Sequence, residues 1–82
     1  MTYTYHTKGV CSRQIVIDLE DGVVQNVQFI GGCSGNTQGV AALAKGQKAQ
    51  TLIQLLQGIR CGNKNSSCPD QLAEALKQAL AQ

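Results

Sequence analysis

The chain has 82 residues, a net charge of +2 and four cysteines, with one Phe, two Tyr and no Trp. That length suits one small domain over residues 1–82, whose Ile, Val, Leu and Ala core contributes only about 3–5 kcal/mol net, so a metal site, a disulfide or dimerisation is expected to support it. The cations Lys45, Lys48, Arg60 and Lys64 read as a solvated surface, too dispersed for a nucleic-acid footprint. No segment reads as an export signal or as the roughly 18 apolar residues of a membrane span; the expectation is a cytoplasmic chain with no membrane or nucleic-acid partner.

Residues 2–7, with Tyr3 and Tyr5, form a plausible edge strand. Residues 13–19 alternate with period two and put Ile15, Ile17 and Leu19 on one face. Glu20-Asp21-Gly22 reads as a turn, with Gly22 able to take positive φ. Residues 23–30 form the returning strand, with Val23, Val27 and Phe29 on a shared face. A tight glycine loop over residues 31–36 precedes a helix expected over residues 37–45, with Ser34 or Asn36 as cap and Gly46 as stop. A second helix is expected over residues 49–57 on the apolar face Leu52, Ile53 and Leu56, ended by Gly58. The loop 59–67 then leads to a last helix at Cys68-Pro69, capped by Ser67 or by Cys68 itself, with proline in the first turn. There Leu72, Leu76 and Leu80 recur every four residues, with Ala73 and Ala79 beside them. The outline is an α+β fold of two layers: a three-stranded antiparallel sheet followed by three helices.

The chemistry rests on Cys11, Cys33, Cys61 and Cys68, each at a boundary between elements. Cys33 and Cys68 precede or open helices, where the macrodipole favours negative charge. Cys61 lies between Arg60 and Lys64. Thiolate is both the metal ligand and the nucleophile. The spacing C-x21-C-x27-C-x6-C contains no CxxC pair and matches no common zinc-finger pattern. If the hairpin and helices form two layers, one end of the sheet could gather Cys11, Cys33 and the start of the last helix. The plain alternative is four unrelated reduced cysteines filling gaps.

Other residues carry less. The loop bearing Gly32, Ser34, Gly35 and Asn36 could cradle a nucleotide or other anion, although it lacks Walker and dinucleotide spacing. His6 stands alone on an edge strand. The carboxylates show no pair suited to acid–base work. Asp70 is expected to stabilise the start of the last helix, and Glu74 to pair with Lys77.

Ser66-Ser67-Cys68-Pro69-Asp70-Gln71-Leu72-Ala73 resembles the signature of the TSCPD family, with Ser66 where the family name has Thr. Gly9-Val10-Cys11-Ser12-Arg13-Gln14-Ile15, Gly31-Gly32-Cys33-Ser34-Gly35-Asn36 and Gly58-Ile59-Arg60-Cys61-Gly62 also look like its small stand-alone members. Related domains form the C-terminal tail of cobalamin-dependent ribonucleotide reductases. The resemblance implies an association with ribonucleoside-diphosphate reductase, and so with DNA synthesis. It does not imply a complete enzyme, because radical ribose reduction needs a large barrel, a cofactor site and a buried cysteine radical.

The order of strands, cysteines and helices is also similar to the U-type iron–sulfur cluster scaffolds, which implies a SufE/NifU-like fold in which Cys11, Cys33 and Cys68 meet. The scaffold's acidic ligand would fall near Arg13, and the His commonly preceding its third Cys is Ser67. Cys61 could replace the missing ligand, giving a four-sulfur site suited to zinc or an iron–sulfur cluster. Expected partners are ribonucleotide reductase or an iron–sulfur or thiol partner protein. The alternatives are a thiol carrier using Cys68 or Cys33, and a homodimer built on the 3–7 edge.

Overall fold

The computed structural model describes residues 1–10, 12–31, 34–60, 62 and 66–82, and for residues 34–36 the backbone alone. The order is β1 (Thr2–His6), β2 (Ser12–Glu20), β3 (Val23–Gly31), α1 (Ser34–Ala44), α2 (Ala49–Leu56) and α3 (Cys68–Leu80). The strands form one antiparallel sheet in the order β1-β2-β3. This is the expected α+β arrangement of a three-stranded sheet followed by three helices.

Period-two alternation on β2 does what the sequence promises: Ile15, Ile17 and Leu19 are buried. Opposite them on β1, Tyr5 pairs with Ile15 and Tyr3 with Ile17, and both rings pack against the core. The β2–β3 turn carries Asp21 and Gly22 at φ 53° and 76°. Positive φ at both central residues matches the right-handed twist of the strands it joins.

The returning strand departs from simple alternation. Asp18 pairs with Asn26 but Leu19 with Val24, so Gln25 is an extra residue. A bulge of this kind reverses the facing of every residue beyond it. Val24 and Val27 therefore both point into the core, and Val24 takes the place expected for Val23, which is only half-buried.

Helix α1 begins at Ser34, three residues before the expected start, and takes Asn36 inside it. Glycine and asparagine are poor helix formers. Tertiary packing prevails: Thr37 and Ala44 are buried, and Val40 and Ala41 between them lean on the core. Gly46 stops the helix at φ 85°. Its N–H donates to Val24 O at 2.7 Å, and the Val24 N–H donates to Gln47 O at 2.9 Å, so the α1–α2 connection is tied to β3.

On α2, Leu52 and Ile53 are buried and Leu56 packs beside them. Helix α3 lies over β2 and packs against α2, with Leu72, Ala75, Leu76 and Ala79 in the core. Leu80 does not belong to that stripe and is 36% exposed. A spacing of four residues advances 400° around a helix, so two such steps carry Leu80 about 80° off the line set by Leu72. Ala79 takes the inward position instead. Among the described residues no helix is long and apolar enough to cross a membrane.

Candidate functional site

The first turn of α3 organises its surroundings. Ser67 caps the helix: its Oγ accepts the Asp70 N–H at 3.1 Å. The same hydroxyl donates to Ile59 O at 2.6 Å. Asp70 does more than favour the helix dipole. Its Oδ1 accepts the Gly58 N–H at 2.6 Å and its Oδ2 accepts the Ser66 hydroxyl at 2.5 Å. Gln71, buried, accepts the Lys8 N–H at 2.9 Å on Oε1 and donates from Nε2 to Ser66 Oγ at 3.1 Å. The run Ser66-Ser67-Cys68-Pro69-Asp70-Gln71 is thus a clasp. It holds Gly58, Ile59 and the Lys8 backbone against one helix end.

The sheet reaches the clasp through a second irregularity. Ser12 pairs with Gly31 while Gln14 pairs with Ile30, so Arg13 is the extra residue. Arg13 is exposed and Ser12 is buried. Without that bulge, Ser12 would share the outer face with Gln14. Turned inward, its Oγ lies 3.2 Å from Cys68 Sγ, and either atom could donate. Thr7 fixes this corner: its hydroxyl donates to Ser12 O and its N–H to Arg13 O at 3.0 Å.

Of the expected site residues, Cys68 is placed: a free thiol, 7% exposed, at the first position of α3. Cys11, Cys33, Cys61 and Gly32 lie outside the described residues, and Ser34, Gly35 and Asn36 are described by their backbone alone. The described residues around those cysteines do come together. Ser12 follows Cys11, Gly31 precedes Cys33 by two residues and pairs with Ser12, and Ile59 precedes Cys61 by two and is bound by Ser67. Among the described residues there is no group of three or more Cys, His, Asp or Glu placed to hold a metal ion. Every buried side-chain nitrogen or oxygen described has a hydrogen-bond partner.

His6 sits beside Gln14, with Nδ1 and Nε2 3.4 Å apart. Glu74 pairs with Lys77 at 3.2 Å, as the spacing suggested. Burial pushes the Tyr5 hydroxyl above its ordinary value of 10.0, and the carboxylates of Glu74 and Asp70, then Tyr3, add to the effect.

Two contributors escaped the sequence reading. Gln71 reads as an ordinary polar residue on an amphipathic helix, and only its buried position reveals the bond to Lys8. Ser12 is legible only once the Arg13 bulge is known.

The family model described as the TSCPD domain matches residues 1–80. No curated protein and no solved structure matches the chain.

Proposed function

The chain belongs to the TSCPD domain family, and we propose that it is a four-cysteine module that binds zinc or an iron–sulfur cluster through Cys11, Cys33, Cys61 and Cys68. One observation carries the proposal: Ser12, next to Cys11, touches Cys68 at the start of α3 and pairs with Gly31, two residues before Cys33, while Ser67 binds Ile59, two residues before Cys61. A trans peptide step spans 3.8 Å between Cα atoms. One or two residues from those anchors is a short reach. The donor set also fits, because thiolates select zinc and iron–sulfur centres over hard cations. Such a centre would supply either a rigid cross-link between sheet, loop and helix, or an electron-transfer group.

The chain's own residues prepare that arrangement. The clasp fixes α3 relative to the 58–67 connection through Asp70 and Ser67. Ser12 is positioned to donate to the Cys68 sulfur when it is a thiolate, and outer hydrogen bonds of this kind orient and tune metal-ligating sulfur. Ser66 keeps the hydroxyl that threonine has in the family signature, and that hydroxyl is what Asp70 and Gln71 bind.

Family membership relates the chain to ribonucleotide reduction, and in our reading it acts in the cytoplasm as an accessory or tail-like module working with the reductase or a thiol partner. The thiol-carrier alternative meets an obstacle at Cys68, whose burial keeps it from a bulky partner disulfide in this conformation. Zinc and iron content of protein purified anaerobically without chelator tests the reading. One metal centre per chain is expected. Metal-free protein with four freely titrating thiols would overturn it.

A further inference from the structure

Three of the cations, far apart in sequence, flank the first turn of α3. Lys8 is tied by its backbone to Gln71, one turn from Cys68. Arg13 follows Ser12, whose hydroxyl lies 3.2 Å from Cys68 Sγ. Arg60 follows Ile59, whose carbonyl accepts from Ser67 at 2.6 Å. All three side chains are exposed. Among the described residues none of them forms an ion pair. Asp70 is the carboxylate at this end, and both of its oxygens already accept hydrogen bonds.

Three of the remaining carboxylates lie elsewhere, and Glu74, one turn beyond Asp70, is already paired. Asp18, Glu20 and Asp21 cluster at the hairpin tip, and the nine residues of β2 put Glu20 about 26 Å from Ser12. Lys45 and Lys48 sit at that tip, tied in by the Gly46–Val24 and Ala49–Gly22 bonds. Among the described residues, three cations, Lys8, Arg13 and Arg60, therefore stand with one carboxylate, Asp70, around the first turn of α3.

The geometry points to this rim, Lys8, Arg13 and Arg60, as a docking surface for an acidic segment of a partner protein. Exposed cations without counter-charges repel one another and raise the local potential, which steers and orients a carboxylate-rich surface. Arginine adds a planar fork that matches a carboxylate. Nucleic acid fits less well. Tyr3, Tyr5 and Phe29 are packed against the core, leaving no stacking platform among them. Three cations also neutralise few phosphates. This rim consists of described residues alone and does not depend on a bound metal.

The test is a titration of the isotope-labelled full chain with a glutamate-rich peptide, in chelator and reductant, followed by NMR. Amide shifts are expected at Lys8, Arg13, Arg60 and the first turn of α3, weakening as salt rises to about 150 mM. The charge reversal K8E/R13E/R60E should weaken binding about tenfold or more, and K45E/K48E by no more than about twofold. Should the triple variant fail to fold, R13Q and R60Q singly should each cost about two- to threefold. Shifts centred on Lys45 and Lys48, or equal losses in the two charge-reversal variants, would overturn the assignment. So would tighter binding of single-stranded DNA of equal charge.

Discussion

Replacing Asp70 with Ala removes more than a helix-capping carboxylate. It deprives the Gly58 N–H and the Ser66 hydroxyl of their acceptor, at 2.6 and 2.5 Å. Hydrogen bonds to a charged group contribute about 1.5–3 kcal/mol each, and the exposed Gly58 contact belongs at or below the low end. A carboxylate in the first turn adds about 0.3–1 kcal/mol. Allowing for solvent reaching both donors once the side chain is gone, Asp70→Ala should destabilise the metal-free chain by about 2–3 kcal/mol. For a domain of this size that lowers Tm by roughly 10–20 °C. Asp70→Asn keeps an oxygen for Gly58 and loses the charge, so it should cost about 1 kcal/mol. Urea unfolding of wild type, D70A, D70N, S66A and S66A/D70A reads these values. The double variant should lose less than the sum of its singles, because the shared bond can be broken only once. D70A within about 0.5 kcal/mol of wild type, or strict additivity with S66A, would refute the clasp.

Three further outcomes follow from the same geometry. Ser12→Ala should cost about 1 kcal/mol in chelator by removing the hydrogen-bond partner of Cys68, read by urea unfolding; unchanged stability would contradict the contact. Leu76→Ala, fully buried, should cost about 2–5 kcal/mol, while Leu80→Ala should cost under about 1 kcal/mol; equal losses would deny that Leu80 has rotated off the core stripe. The raised Tyr5 value means that the native state keeps a proton the unfolded chain gives up. Its contribution is therefore complete below the ordinary value of 10.0 and is lost as pH rises through the native value, so denaturation midpoints should fall less steeply above pH 10 in Tyr5→Phe than in wild type.

Much of this fold was legible because periodicity is a local property. The alternation of Ile15, Ile17 and Leu19 and the Asp21-Gly22 turn need no tertiary knowledge. What the sequence hid has several physical origins. Val24 in place of Val23, and the inward turn of Ser12, both come from bulges, which insert a residue without any composition signal. The early start of α1 reflects packing of Thr37, Val40, Ala41 and Ala44 against β3, which outweighs the weak propensity of Gly35 and Asn36. Leu80 fails as a core residue because a four-residue repeat does not stay in register with 3.6 residues per turn. At the site, the sequence identified Ser67 and Asp70 as helix-start residues. It could not show that Asp70, Ser67 and Gln71 fasten two other segments to that helix, because their partners are backbone groups that any residue could supply. The cationic rim was hidden for the same reason: Lys8, Arg13 and Arg60 become neighbours only through the clasp.

Whether four thiols share one metal centre is read by cobalt(II) titration of the reduced, metal-free chain. Saturation is expected at one equivalent, with intense thiolate-to-metal absorption and the visible bands of a tetrahedral site. Each of the variants C11S, C33S, C61S and C68S should change that spectrum. Weak absorption that grows without saturating, or a spectrum indifferent to two or more of the four substitutions, would contradict a shared centre.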